Sequence, residues 1–251
     1  MTKFDFALQS PLMNAAGSLG FAPDQRSGVD LSALGAFLTN PVSFLQRTSA
    51  RGTRFLQFPG GFLLHTGYPN PGLKVLIRRY ATHWAGAGLP VWVHLLAGNP
   101  EEVSGMARRL ETVEGIAGIE LGLPPEVEPD LAKALAAAAV GELPVIVRLP
   151  FESAVPLAGQ LATSRSSLPI SAFSLGPPRG SLPGPEGVVH GRIYGPAVFP
   201  LALAAVEGLV QFGVPVIGAG GVYSQKDVEA VLATGAIGVQ IDAAFWRGGL
   251  T

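Results

Sequence analysis

The chain has no cysteine. That excludes disulfides, thiolate metal sites and a cysteine nucleophile. Charge is scarce as well, at 14 % of residues, with a formal net charge of −1. A general nucleic-acid binder carries a basic excess that neutralises phosphates, so this balance points to a small molecule or another protein as partner, not to nucleic acid. Long apolar runs are missing too: "LAKALAAAAVG" at 131–141 is short and carries Lys133, which makes it a packed helix and not a membrane span. The first residues, "MTKFDFALQSPLMNAAG", lack an apolar stretch behind a charged one. They do not read as a signal peptide, and the expected location is cytoplasmic. What is plentiful is apolar material, 48 % of 251 residues, enough for one large core.

That material is parcelled into short runs bounded by Gly or Pro. Eight read as strands: "PLMNAA" (11–16), "GAFLT" (35–39), "PVWVHLL" (90–96), "IAGIEL" (116–121), "PVIVRL" (144–149), "PISAFSL" (169–175), "PVIGA" (215–219) and "IGVQI" (237–241). Helical spacing fits 72–86, 100–113, 129–139, 153–163, 196–212 and 224–234. Buried strands alternating with helices imply a parallel sheet, and eight such units predict an α/β fold, a (β/α)8 TIM barrel forming a single domain over 1–251. Within 44–71, "TRFLQFPGGFLLHTG" predicts a hairpin inserted after the second strand, and "GPPRGSLPGPEGVVHGRIYGP" (176–196) is a long loop after the sixth. Both belong on the C-terminal face of the barrel, where this fold places its active sites.

The seventh strand ends in "PVIGAGGV" (215–222), with bare backbone at Gly218, Gly220 and Gly221 and Ser224 at an N-cap position. Glycines let backbone N–H groups approach a phosphate, and the turn after strand seven is a recurrent phosphate site in barrels. The same glycines also suit a tight strand-to-helix turn with no ligand.

Four blocks together, "SPLMNAAGSLG" (10–20), "TGYPNPGL" (66–73), "YGPAVFPLAL" (194–203) and "VPVIGAGGVYSQKDVEAVLATGAIGVQI" (214–241), resemble the dihydroorotate dehydrogenase family in order and spacing. The resemblance implies an FMN barrel that oxidises dihydroorotate in pyrimidine synthesis, similar to the soluble homodimeric class, which lacks membrane-docking helices. Carried over position by position, it sets the flavin ring against Ala15, Ala16 and Gly17, with Thr39, Asn40 and Asn99 near the cofactor. Gly195, Gly218, Gly220 and Gly221 would hold the phosphate, and Gly67, Tyr68 and Asn70 would meet the substrate. Arg148 stands where the family has a lysine and could stabilise negative charge on reduced flavin. Asn99 reads equally as a turn residue before Pro100.

The chain departs from the family pattern at several functional positions. Asn40 replaces a lysine; Leu64, Gly122 and Ser174 stand where substrate asparagines are expected. Pro124 and Pro125 occupy the place of the Ser or Cys base, and neither can accept a proton. Asp242 and Ala243 replace a Gly-Thr pair beside the phosphate. His65, His94, His190 and Glu120 are the residues that could supply new acid or base groups, and His65 with Arg148 are the preferred catalytic candidates because both should face the barrel mouth. Their spacing fits no metal motif. Three functions remain open: a dihydroorotate-oxidising flavoprotein, a flavoprotein acting on another small molecule, and a catalytically inactive barrel that serves as a binding protein or subunit.

Overall fold

The structure is a computed structural model and describes residues 8–24, 28–164 and 167–250. In chain order the strands are β1 (Leu12–Asn14), β2 (Phe37–Leu38), β3 (Phe55–Phe58), β4 (Gly61–Leu64), β5 (Val91–Leu96) and β6 (Ile116–Gly122), followed by β7 (Val145–Leu149), β8 (Ala172–Leu175), β9 (Arg179–Gly184), β10 (Gly187–Tyr194), β11 (Val216–Ala219) and β12 (Gly238–Ile241). Eight of them run parallel in the order β1-β12-β11-β8-β7-β6-β5-β2, and a parallel bridge from Met13 to Ala36 joins the two ends. The predicted TIM barrel is the observed fold, and each of the eight predicted strands is one of its staves.

Helices α1 (Leu73–Ala85), α2 (Pro100–Leu110), α3 (Pro129–Ala139), α4 (Ala154–Ala162), α5 (Phe199–Val210) and α6 (Gln225–Ala233) cover the outside. Their starts follow local chemistry. Asn99 accepts a hydrogen bond from the Glu102 N–H (2.9 Å) and caps α2, with Pro100 in its first turn. Ser224 and Asp227 form a reciprocal capping box on α6. No helix among the described residues is long and apolar enough to cross a membrane.

Strand alternation divides the core in two. Outward residues such as Leu95, Leu121, Val147 and Phe173 pack under the helices, while Met13, Leu38, Trp92, Ile146, Ala172 and Ile217 fill the barrel's interior. One pleat further along, the inward positions turn polar: His94, Glu120, Arg148, Ser174 and Gln240. An apolar plug therefore lies beneath a buried polar layer, and the layer faces the C-terminal mouth.

The segment 176–196 is a second hairpin rather than a loop. Its strands β9 and β10 join β3 and β4 in one antiparallel sheet, ordered β3-β4-β10-β9, with Ile193 opposite Leu63. Pro183 is tolerated because β9 is the edge of this sheet, where a missing N–H breaks no ladder. The two insertions thus meet over the barrel mouth as a common roof.

Candidate functional site

The polar layer is organised around Glu120. Its Oε1 accepts from the Ser174 hydroxyl (2.7 Å) and the Gln240 amide (2.6 Å), and its Oε2 lies 2.5 Å from His94 Nδ1. Arg148 Nη1 is 3.9 Å from the same Oε2. Four staves besides its own thus supply partners to one fully buried carboxylate. These contacts outweigh burial and hold the Glu120 carboxyl down at about 2. Burial pushes His94 below the ordinary imidazole value even though the Glu120 charge pulls it up. At neutral pH the pair is a carboxylate and a neutral ring, so the Nδ1 proton is donated to Glu120.

Between this layer and the roof lies a cavity of about 360 Å³. His94, Gly122 and Arg148 face it from below; Leu64 to Tyr68 and Arg192 face it from the roof; Pro124 and Pro125 stand at its side. Among the described residues, Arg47, Arg148, Arg179 and Arg192 line it against one carboxylate, Glu152, so it favours an anionic ligand. Arg192 is held in place by stacking 3.8 Å over the Tyr68 ring and by donating to the Tyr194 hydroxyl (3.1 Å) and the Thr66 hydroxyl (3.0 Å). Tyr68 has φ +53, a backbone conformation that strains a non-glycine residue and persists where surrounding contacts fix it. Arg148 Nε and Gln240 Oε1 are buried without a hydrogen-bond partner, which leaves one donor and one acceptor unused in the polar layer.

The structure brings Arg148, His65, Gly67 and Tyr68 together around this cavity. His65 is exposed there, whereas His94 is buried in the polar layer. The other expected contacts lie elsewhere. Asn70 is buried and accepts from the Ser43 and Gly72 N–H groups at 3.2 and 3.0 Å, tying its own loop together. Asn99 is exposed and caps a helix, so the turn-residue reading fits its position better than cofactor contact. Thr39 is buried, its hydroxyl accepting from the His94 N–H at 3.1 Å. Asn40 Oδ1 accepts from the Gly20 N–H (3.1 Å) and pins the chain that follows β1. Ala15 and Ala16 are buried behind that chain, and Gly17 is exposed on it. His190 lies in β10, paired with the Ser181 hydroxyl at 2.7 Å.

The glycine turn is buried as well. Gly195, Gly220 and Gly221 have φ of +135, +111 and +70, which L side chains rarely adopt. A Cβ on Gly221 would run into the backbone nitrogen of Phe199, and one on Gly195 into the carbonyl of Gly60. Packing alone therefore requires glycine at both places. Gly221→Ala should lower stability by about 2–4 kcal/mol, combining strained φ with overpacking. Urea denaturation would show it as a lower midpoint at unchanged slope. Beside this turn Asp242, at the end of β12, is pushed up by burial to about 6, with its own neighbour Ala243 N–H bonded to it and Arg148 drawing it back. Its charge is felt by Tyr223 just beyond the turn.

The sequence signal for His94 and Glu120 was their place near strand ends, and register supplies the rest. Both are inward residues near strand ends, and β5 and β6 set them directly opposite each other. They are 26 positions apart in the chain.

Comparison with known proteins gives a consistent result. The catalytic subunit of dihydroorotate dehydrogenase B (NAD(+)) from Pelobacter propionicus is 29 % identical over 255 residues, covering 94 % of this chain and 84 % of that protein. The corresponding subunit from Pyrococcus furiosus is 27 % identical, covering 99 % and 87 %. Dihydroorotate dehydrogenase A (fumarate) from Lacticaseibacillus paracasei is 27 % identical, covering 95 % and 89 %. A nitronate monooxygenase family model matches residues 186–247, the stretch from β10 past β12. The crystal structure of the Eimeria tenella DHODH in complex with ferulenol superposes with a TM-score of 0.79 over 98 % of this chain and 80 % of that one; at 11 % identity this is a likeness of fold.

Proposed function

We propose that this chain, a protein of the dihydroorotate dehydrogenase family by similarity along nearly its whole length, is a flavin-dependent oxidoreductase whose flavin is FMN and whose substrate is a small cyclic carboxylate of the dihydroorotate type. The carrying observation is the arginine-lined cavity at the C-terminal mouth of a barrel with such relatives. Pyrimidine synthesis is the setting that this reading implies.

Residues of the site fit a phosphate-bearing flavin under one condition. The unused Arg148 Nε and Gln240 Oε1 are a donor and an acceptor of the kind a flavin ring's polar edge requires. The positive-φ glycines Gly195, Gly220 and Gly221 place a turn at the position where barrels hold phosphate. Asp242 sets the condition, since its carboxylate opposes a phosphate unless it is protonated. A bound flavin would supply a two-electron, hydride-accepting oxidant. Around it the chain's own residues orient and exclude: Arg148 and Arg192 hold the anionic substrate, and the roof from Leu64 to Tyr68 covers it.

The test is a visible spectrum after incubation with FMN and desalting at pH 5.5 and pH 8, followed by anaerobic addition of dihydroorotate. Retained flavin that bleaches supports the reading. Absence of a retained band at both pH values favours the second reading, an inactive binding barrel, for which Asp242 is the specific observation. In the active case Arg148→Ala should raise the dihydroorotate concentration for half-maximal bleaching tenfold or more, as expected for losing about 1.5–3 kcal/mol of charge-assisted hydrogen bonding. An unchanged value would remove Arg148 from substrate binding.

A further inference from the structure

The family resemblance leaves this site without a base, because prolines stand at 124 and 125. The cavity nevertheless contains a ring nitrogen suited to that role. His94 Nδ1 is engaged by Glu120 at 2.5 Å, and the opposite ring edge reaches the cavity wall at Gly122. A Cβ on Gly122 would lie 2.6 Å from His94 Nε2. Gly122 therefore keeps that nitrogen open where any side chain would cover it. The carboxylate behind the ring is in turn fixed by Ser174 and Gln240, so the ring's orientation is determined from three other staves.

We infer that His94 is the proton-accepting residue of this site, presenting Nε2 to the substrate while Glu120 fixes its tautomer and orientation. The inference rests on the oxidoreductase reading for its substrate, but the state of the ring belongs to the protein alone. With Nδ1–H donated to Glu120, Nε2 carries the free lone pair. Other charges near the ring are Arg148 on β7 and Arg192 on β10, both of which disfavour a second proton, while Glu120 favours it. Burial is the largest influence, and it keeps the ring neutral and able to accept.

The step balances as follows. Nε2 takes the proton from the substrate carbon next to the one that gives up a hydride. The electron pair of that C–H bond becomes the new C=C bond as the neighbouring carbon gives up its hydride, so the substrate loses two electrons; a bound flavin would supply the oxidant that takes them up. The proton stays on the imidazolium, whose charge the Glu120 carboxylate balances. His94 is thus a catalytic residue in this scheme, and Glu120 a positioning residue.

Two measurements test it. The first needs neither flavin nor substrate: a ¹⁵N NMR titration of the histidine rings, with His94 identified by its loss in His94→Gln. The expected result is an Nδ1–H tautomer at neutral pH, a titration below the ordinary histidine value, and a further downward shift in Glu120→Gln. An Nε2–H tautomer, or a ring protonated at pH 7, overturns the inference. The second follows anaerobic bleaching of FMN-loaded protein by dihydroorotate. His94→Gln should slow it about 100-fold or more with flavin retention unchanged. Because that variant removes the ring, Gly122→Ala provides a second case that keeps it: the added carbon would fall 2.6 Å from Nε2, so the ring must shift or lose its opening to the cavity, and bleaching should again slow at least tenfold. Bleaching at the unaltered rate in both variants overturns the inference. If the unaltered protein does not bleach while the ring titrates as expected, the substrate reading fails and the His94–Glu120 arrangement stands.

Discussion

Asp242→Asn should retain FMN at pH 8 at least tenfold more tightly than the unaltered chain, with the difference fading towards pH 5.5. The carboxyl sits at about 6 because it is buried, so it is ionised at pH 8 and largely neutral at pH 5.5. Two unit charges ~4 Å apart repel by about 4 kcal/mol at an effective dielectric constant near 20, roughly a thousandfold for each phosphate charge at that distance, so a tenfold gain is a modest expectation. A flavin phosphate takes its second charge near pH 6 as well. The substitution separates the two contributions, since it removes the carboxylate and leaves the phosphate's own ionisation. Dissociation constants by fluorescence quenching at the two pH values are the measurement. Equal pH dependence in both proteins would place the phosphate away from Asp242. The same substitution should also stabilise the protein without any ligand. A carboxyl raised from 3.8 to about 6 penalises the folded state above pH 6, by about 3 kcal/mol at most, and the penalty disappears as pH falls from 6 towards 3.8.

Glu120→Ala should have the larger effect on folding, a loss of about 3–5 kcal/mol, because it strands His94, Ser174, Gln240 and Arg148 without their shared partner in a dry interior. Glu120→Gln keeps the shape and some hydrogen bonds and should lose less. The pH dependence has a definite sign. A carboxyl held at about 2 against its usual 4.5 contributes stability that is complete above 4.5 and disappears as pH falls towards 2. The depressed His94 value acts in the same direction, because the unfolded chain takes up that proton first as pH falls. The unaltered protein should therefore lose stability on the acid side more steeply than Glu120→Ala, and urea midpoints between pH 7 and pH 3 would show the two curves converging. Parallel curves would mean that the carboxylate contributes nothing specific.

The barrel was legible because each stave is a dense apolar run ended by Gly or Pro, and a buried parallel strand tolerates little else. The hairpin of β9 and β10 was not, since the alternation of β9 is carried by Gly, Ser, Pro and Arg, and β10 finds its partner strand in another insertion. Reading 176–196 as a loop followed from composition; the pairing with β4 is a long-range fact. The site divides in the same way. Gly67, Tyr68, His65 and Arg148 meet at one cavity; position implied this for His65 and Arg148, and the family resemblance for Gly67 and Tyr68. Asn70 and Asn99 entered through the family resemblance, Asn99 with a turn-residue reading beside it, and in the structure both side chains bond backbone groups of neighbouring turns. His94 and Glu120 were each named as possible acid or base groups, but separately. Only the register of β5 against β6 makes them a pair.

The roof also carries a consequence for the order of assembly. Leu63 pairs with Ile193 across most of the barrel's sequence, and Arg192 pairs with Leu64. A nascent chain that has completed five staves still lacks half of its roof, β9 and β10. The ligand chamber should therefore close late in folding, after the loop between the two insertions has been drawn shut. Pulse-labelled hydrogen exchange should find the amides of β4 and β10 protected after those of β5 to β7, and the opposite order would make the roof a template for the barrel.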